Sequence, residues 1–389
     1  MKRLLFYYPT PFDTLRGGIE RVTNKLAKEL NKYGYDVFYL HLKNETTLGL
    51  KGKLDYSVQT FFLPESQLEH PDNIKYYQSL LQEKKIDVVI NQQGLYEGTY
   101  FVSKVGYSNV KIISVLHSDP ICGYRYLWHD LKTLREIGYV EWIKRILRCC
   151  LYFKIKKERW RDIQVHYNFL LYSKQVICVL SESYLTTLQE INPFLLNRAV
   201  SISNPNTYDD VISIPRKEKI ILFVGRLDNR SKKLRTLITI WKEIYKEYKD
   251  WKLIIIGDGE DKKNLTNLAN GIKNIEFTGF LEPYEYYQRA SIFCMTSIFE
   301  GFPMCLTEAM QFGCVPIAFD SFPAIHDIIL PQQTGELVCP FSKREYIQKI
   351  TYLMQNDSYR NELSRKAFNH VKKYDIKKIV ECWINLIEK

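Results

Sequence analysis

Residues 297–313 read SIFEGFPMCLTEAMQFG, and the rest of the chain is arranged around them. Pro303 precedes a helix-forming run that begins at Met304, and Gly313 follows it. Proline at a helix start and glycine just past its end are the expected punctuation. The spacing therefore predicts a helix from Met304, with Glu308 about one turn inside it and Glu300 in the loop before it. The first N–H groups of a helix have no internal partner, so a glycine-containing loop leading into one is a ready anion site. Two carboxylates frame this one. It suits a ligand with an anionic centre and hydroxyl groups on both sides, a description that fits a nucleotide-diphosphate sugar. The alternative, on spacing alone, is an ordinary loop and helix with Glu308 on a solvated face.

Apolar runs alternate with helical stretches on either side. In the second half Ile220–Val224, Trp251–Ile256, Ile275–Thr278, Ile292–Thr296 and Val315–Phe319 read as strands. Helices are expected at Leu234–Tyr248, Lys262–Ala269 and Pro283–Ala290. The first half shares only the architecture. Its strands are expected at Arg3–Tyr8, Asp36–Leu42, Val58–Leu63, Ile86–Asn91, Val110–Leu116 and Val176–Leu180, with a helix over Ile19–Tyr33. Such alternation predicts a parallel, doubly wound sheet in each half. Ligands of such sheets bind beyond the carboxyl ends of the strands.

Several residues stand at those ends. Gly17 and Gly18 follow the first strand and let backbone approach a ligand, although G-x-G-x-x-G is absent. His117 ends the strand Val110–Leu116. Gly225 and Arg226 follow Ile220–Val224, and the loop DNRSKK after them carries Lys232 and Lys233. Arginine with lysine can neutralise a diphosphate through charge-assisted hydrogen bonds. Gly257 and Gly259 close the next strand in the same way. The plainer readings are a tight turn, a structural histidine and a solvated basic loop. The polar, proline-bounded stretch from Ser201 to Pro215 is the expected linker.

A chain of 389 residues is long enough for two domains, and 46% hydrophobic with 25% charged residues is ordinary for a globular protein. Nine cysteines without a C-x-x-C pair, and a start too short for a secretory h-region, lead to the expectation of a cytoplasmic protein with reduced thiols. No run of about 18 apolar residues reads as a membrane span. The formal charge is +11, and Tyr124–Asp162 holds 11 Lys/Arg against 5 Asp/Glu. Trp128, Trp142 and Trp160 alternate with the basic residues there. This asymmetry points to an anionic partner surface, membrane, nucleic acid or polyanion, and peripheral docking on an anionic membrane is the contact expected. The alternative is that the tryptophans pack inside the domain and the charges face water. No nucleic-acid recognition motif accompanies the charge, so nucleic acid is not the expected partner.

Together these residues resemble the family-4 retaining glycosyltransferases of the GT-B fold, the "glycosyl transferases group 1" type. The likeness covers most of the chain and is strongest from Ile220 to Val338. It rests on the E-x7-E spacing of Glu300 and Glu308 inside FEGFPMCLTEAM, and on GCVPIAFD and TGELV after it. VGRL with a following lysine, the glycine pair, His117 and SISNP belong to the same pattern. The chain departs from it in a loop one residue longer between Arg226 and Lys232, and in Lys233 where glycine is common. Lys232 is preferred for the phosphate role, with Lys233 the alternative.

The resemblance implies an α/β GT-B architecture, two doubly wound Rossmann-like domains facing across a central cleft. Residues 1–205 would form the acceptor side and 206–370 the nucleotide-sugar side. A C-terminal helix within 371–389 would pack back toward the first domain. Arg226 and Lys232 would grip the diphosphate, helped by Gly17, Gly18, Gly225 and the stretch Phe302, Pro303, Met304, Cys305 and Leu306. Glu308 would bind the ribose hydroxyls, Glu300 the transferred sugar, and His117 the sugar from the other domain. The implied reaction moves a hexose-type sugar from a UDP- or GDP-linked donor to a saccharide or lipid-linked saccharide. Its setting would be surface polysaccharide biosynthesis: lipopolysaccharide, capsule or exopolysaccharide. No cofactor and no metal are expected, since D-x-D and His/Cys ligand spacings are missing. The competing functions are a sugar-nucleotide epimerase or phosphorylase on the same fold, and a non-enzymatic membrane or nucleic-acid binding module.

Overall fold

The computed structural model describes residues 2–12, 17–43, 58–95, 97–106, 109–128, 146, 148–209 and 211–389. The chain forms two compact units. The first comprises the described residues up to Pro205 together with Tyr374–Lys389, and the second is Asn206–Lys373.

The first unit contains seven described strands: β1 Arg3–Tyr7, β2 Asp36–His41, β3 Gln59–Phe62, β4 Val88–Asn91, β5 Lys111–Leu116, β6 Val176–Val179 and β7 Ala199–Ser201. They form one parallel sheet in the order β3-β2-β1-β4-β5-β6-β7. The second unit repeats the winding with β8 Glu218–Val224, β9 Lys252–Ile256, β10 Ile275–Gly279, β11 Ala290–Met295, β12 Val315–Phe319 and β13 Glu336–Val338. Its order is β10-β9-β8-β11-β12-β13, again parallel throughout. Each sheet reverses its winding beside its first strand, between β1 and β4 and between β8 and β11. A crevice opens at such a reversal because successive connections leave on opposite faces.

Continuous apolar runs make these strands, as expected where helices cover both faces of a parallel sheet. Leu4 to Tyr7 and Ile221 to Phe223 are all buried. The helix Leu234–Ile244 places Leu234, Leu237, Ile238, Trp241 and Ile244 at three- and four-residue spacing against the second core. That helix stops four residues short of the expected Tyr248. The loop DNRSKK contains a helical turn, Asn229–Lys232, whose start is capped by the Asp228 carboxylate accepting from Arg230 N–H. Strands β7 and β13 have three residues each, too short to stand out as apolar runs.

The helix Ile376–Glu388 completes the first unit. Its buried face of Ile379, Val380, Trp383, Leu386 and Ile387 lies by the helix Gly18–Lys32. Tyr35 donates to Glu388 at 2.7 Å and Lys2 to the Ile387 carbonyl at 2.6 Å.

Two fully buried histidines make this unit sensitive to acid. His41 donates from Nδ1 to the Tyr8 carbonyl at 2.9 Å, and burial pushes its pKa down to about 4. Burial does the same to His166. The unfolded chain takes up these protons near pH 6.5, whereas the folded one does not until about 4. The stabilisation is complete above 6.5 and is lost as pH falls through that window. Each histidine is worth on the order of 3 kcal/mol. The melting temperature should therefore drop by several degrees between pH 7.5 and pH 5, measured by differential scanning fluorimetry. A flat profile over that range would contradict the two neutral, buried imidazoles.

Candidate active site

The loops that follow β8 and β11 meet at the reversal of the second sheet. The loop after β8 lies directly on the loop after β9. Gly225 N–H donates to the Ile256 carbonyl at 3.0 Å and Leu227 N–H to that of Asp258 at 2.9 Å. The approach admits no side chain at Gly257, where a Cβ would stand 1.9 Å from the Gly225 carbonyl oxygen and φ is +142°. This stacking holds the exposed Arg226 at the end of β8. The turn Asn229–Lys232 is pinned from below by Asn229 N–H on the Asp261 carboxylate at 2.8 Å.

Lys232 ends that turn with its ammonium 2.5 Å from Glu300 Oε1. Ser297 donates to the same oxygen at 2.6 Å. Two further bonds stitch the β11 loop to the turn: Thr296 Oγ1 to the Lys232 carbonyl at 2.8 Å, and Ile298 N–H to that of Ser231 at 2.8 Å. The pair is largely withdrawn from water, with 17% and 14% of the two side chains exposed. Burial alone would lower the Lys232 pKa, but the Glu300 carboxylate more than offsets it and holds the ammonium above its ordinary value. Arg226 is close enough to act on that charge in the opposite sense. Lys233 goes elsewhere. Its ammonium sits 4.3 Å over the Phe341 ring, and burial lowers its pKa. Its backbone is left-handed, with φ +48°, a conformation that glycine adopts more readily.

The helix after Glu300 spans Met304–Gln311. Leu306 and Thr307 N–H both return to the Pro303 carbonyl, at 3.0 and 3.4 Å. Phe302, Pro303 and Leu306 are buried, while Met304 and Cys305 are half-buried at the helix start. Gly313, at φ +76°, ends the element, with its N–H on the Met310 carbonyl at 2.9 Å and Cys314 N–H on that of Ala309 at 3.0 Å. Glu308 does not lie on a solvated face; it is 1% exposed. Tyr287 donates to Oε2 at 2.8 Å and Thr207 to Oε1 at 2.5 Å. The segment carrying Thr207 is tied to the same helix, since Gln311 donates to the Tyr208 carbonyl at 2.8 Å. Sequence reasoning missed both partners of Glu308. Tyr287 lies in the tyrosine-rich helix Tyr284–Arg289, where only periodicity distinguishes it, and Thr207 sits in a polar linker with no signal at all.

In the first unit His117 stands just past the end of β5. Its Nε2 donates to Gln92 Oε1 at 2.6 Å, and burial pushes its pKa down to about 4, so the ring is neutral at physiological pH. Gln92, just after β4, was not anticipated. Gly17 begins the helix Gly18–Lys32 with φ +41°, and a Cβ there would meet the Glu20 carboxylate at 2.2 Å. His117, Gly17 and Gly18 thus belong to the first unit, and every other anticipated site residue to the second. Of the basic segment, Tyr139, Trp142, Lys144 and Arg145 lie outside the described residues. Trp128 is partly exposed and meets Tyr152 edge-on at 5.0 Å, while Trp160 lies 4.9 Å from Tyr124.

The close approach of the two glycine loops is testable. Gly257→Ala should cost on the order of 3 kcal/mol in denaturant unfolding, because the new methyl overlaps fixed backbone. Gly271→Ala is the control. It also has positive φ, at +78°, but open space around it. Equal losses in the two variants would mean that the loops are not in contact at Gly257.

Residues 206–370 match the family model of glycosyl transferases group 1. Over 378 residues the chain is 26% identical to an uncharacterized glycosyltransferase of Haemophilus influenzae, covering 95% of this chain and 96% of that one. It is 28% identical over 198 residues to a Campylobacter jejuni GalNAc-alpha-(1->4)-GalNAc-alpha-(1->3)-diNAcBac-PP-undecaprenol alpha-1,4-N-acetyl-D-galactosaminyltransferase, covering 49% of this chain and 55% of that one. Among solved structures, the pneumococcal O-GlcNAc transferase GtfA in complex with UDP and GlcNAc is similar with a TM-score of 0.71 at 13% identity. The match covers 100% of this chain and 98% of that one. An identity so low speaks to the fold alone. Matched segment and fold agree: residues 206–370 match the glycosyl transferases group 1 family, and the two Rossmann-like α/β units have the GT-B fold.

Proposed function

We propose that the protein is a retaining, metal-independent transferase of a hexose-type sugar. The donor would be a UDP- or GDP-linked sugar, and the acceptor a saccharide or lipid-linked saccharide of surface polysaccharide biosynthesis. The Lys232–Glu300 pair at the sheet reversal, beside the start of the helix Met304–Gln311, carries this reading. An ammonium and a helix N-terminus there favour a diphosphate. Arg226, at the end of β8, adds a second cation. Glu300 then faces the sugar hydroxyls, and His117, a neutral imidazole, is the residue of the first unit that the resemblance gives to the sugar. As the anomeric bond breaks, positive character grows on the sugar and negative charge on the leaving diphosphate. Fixed cations and helix N–H groups stabilise that charge without needing to reorganise. The undecaprenol-linked saccharide in the name of the Campylobacter relative supports a lipid-linked acceptor.

Glu300→Gln and Arg226→Ala should each reduce transfer by about 3–4 kcal/mol, a few hundredfold or more, with the fold intact by circular dichroism. Turnover near that of the wild type in either variant would defeat the assignment. The cationic residues are also expected to make a metal unnecessary, so activity should survive EDTA. Loss on chelation with recovery on adding magnesium or manganese would count against them. Incubation with labelled donor and no acceptor excludes the epimerase reading if the sugar is unchanged apart from slow hydrolysis.

One further observation favours peripheral contact with an anionic membrane. Phe153, on the helix Tyr152–Tyr172, is 82% exposed and stands among exposed Lys154 and Lys157, with Leu151 exposed beside it. An exposed apolar side chain with lysines beside it on one helix suits a headgroup boundary, and each basic residue near such a surface adds about 1 kcal/mol. Sedimentation with anionic vesicles should pull the protein down at low salt and release it at high salt. Replacing Lys144, Arg145, Arg148, Lys154, Lys156 and Lys157 with serine should abolish the binding. A wild-type protein that stays in the supernatant at low salt would end the membrane reading while leaving the donor site untouched.

A further inference from the structure

We propose that the Thr207 hydroxyl holds the place of a donor ribose hydroxyl on Glu308, and that donor binding exchanges one for the other while Tyr287 keeps the carboxylate in position. This rests on the nucleotide-sugar reading above and assigns two residues, one displaced and one fixed, that the reading does not contain.

The starting point is a conflict. The resemblance gives Glu308 to the ribose, yet its carboxylate is buried and both oxygens are occupied, by Thr207 at 2.5 Å and Tyr287 at 2.8 Å. A carboxylate taken out of water must be hydrogen-bonded, and two hydroxyl donors do that here. They differ in how easily they can leave. Tyr287 is fully buried, its ring parallel to Phe312 at 6.1 Å, and withdrawing it would open a cavity. Thr207 is only half-buried and belongs to a segment outside any helix or strand. The segment has its own anchors on both sides of Thr207. Asn206 donates to the Val371 carbonyl at 2.8 Å, Gln311 holds the Tyr208 backbone, and Tyr208 OH donates to Glu282 at 2.5 Å. A rotation of the Thr207 side chain can therefore vacate Oε1 while its neighbours stay bonded.

A ribose hydroxyl is chemically the same donor as the threonine hydroxyl. The exchange leaves the number of hydrogen bonds on Glu308 unchanged, so the affinity for nucleotide is reduced by whatever the Thr207 bond is worth. Removing that bond should tighten binding and loosen the empty protein together. A purely structural Thr207 would lose stability without any gain in affinity.

Isothermal titration of the full chain with UDP and with GDP tests this. Thr207→Val keeps the shape and deletes the donor. It should lower the melting temperature without nucleotide and bind the preferred nucleotide roughly tenfold more tightly, the worth of one hydrogen bond to a charged group. Thr207→Ser keeps the hydroxyl and should behave as wild type. Tyr287→Phe should weaken nucleotide binding by a similar factor. Unchanged or weaker binding by Thr207→Val would overturn the exchange, and unchanged binding by Tyr287→Phe would overturn the positioning role. A wild-type protein that binds neither UDP nor GDP would overturn the donor reading itself, and this proposal with it.

Discussion

An ammonium and a carboxylate withdrawn from water together, Lys232 and Glu300, are the constraint on which the second unit depends. Either charge left there without the other would cost stability, because desolvation costs up to several kcal/mol per ion. Their pairing requires that the end of a helical turn after β8 and the loop after β11 arrive at one point. The sheet order supplies this, since β8 and β11 are neighbours although their paired positions Glu218 and Ala290 lie 72 residues apart in the chain. The short range is then set by glycines. Gly257 lets the β9 loop lie against Gly225, Asp228 caps the turn, and the ammonium is delivered to the carboxylate. Topology brings the loops close, and backbone contacts fix the last few ångströms.

The two glutamates, eight residues apart, occupy different physical regimes. Glu300 is balanced by a cation and a hydroxyl in a partly open position. Glu308 is enclosed and accepts from two neutral hydroxyls. A charge balanced by a cation responds to the arrival of a phosphate, because the cation can redistribute between two anions. A charge balanced by neutral donors responds instead to hydroxyl groups, which replace those donors one for one. The spacing of the pair thus sets a carboxylate balanced by a cation and one held by hydroxyl donors along a single loop and helix.

Most of the architecture was legible because buried parallel strands are short apolar runs between helices, and eleven of the thirteen described strands stood out that way. The exceptions, β7 and β13, are too short to carry a pattern. The helix Met304–Gln311 was legible from Pro303 and Gly313, which act locally. The helical turn inside DNRSKK was not, since four residues capped by one aspartate look like any polar loop. Burial of Glu308 was equally hidden. It depends on Thr207, about a hundred residues away, and on Tyr287, partners that only the folded chain brings together. Residues that act through local backbone geometry can be found in the sequence, whereas residues that act by satisfying a distant buried group cannot.

The first unit makes the same point from the other direction. Its sheet is wound like the second, yet the groups found past β4 and β5 are a neutral amide and a neutral imidazole, Gln92 and His117. Fixed charges leave a readable mark, because a buried or half-buried ion demands a counter-ion and the pair constrains spacing. Neutral donors and acceptors demand only a partner of either kind. Loops around them can therefore change length and composition at little electrostatic cost. That freedom is why Gln92, unlike Lys232 and Glu300, left no mark in the sequence.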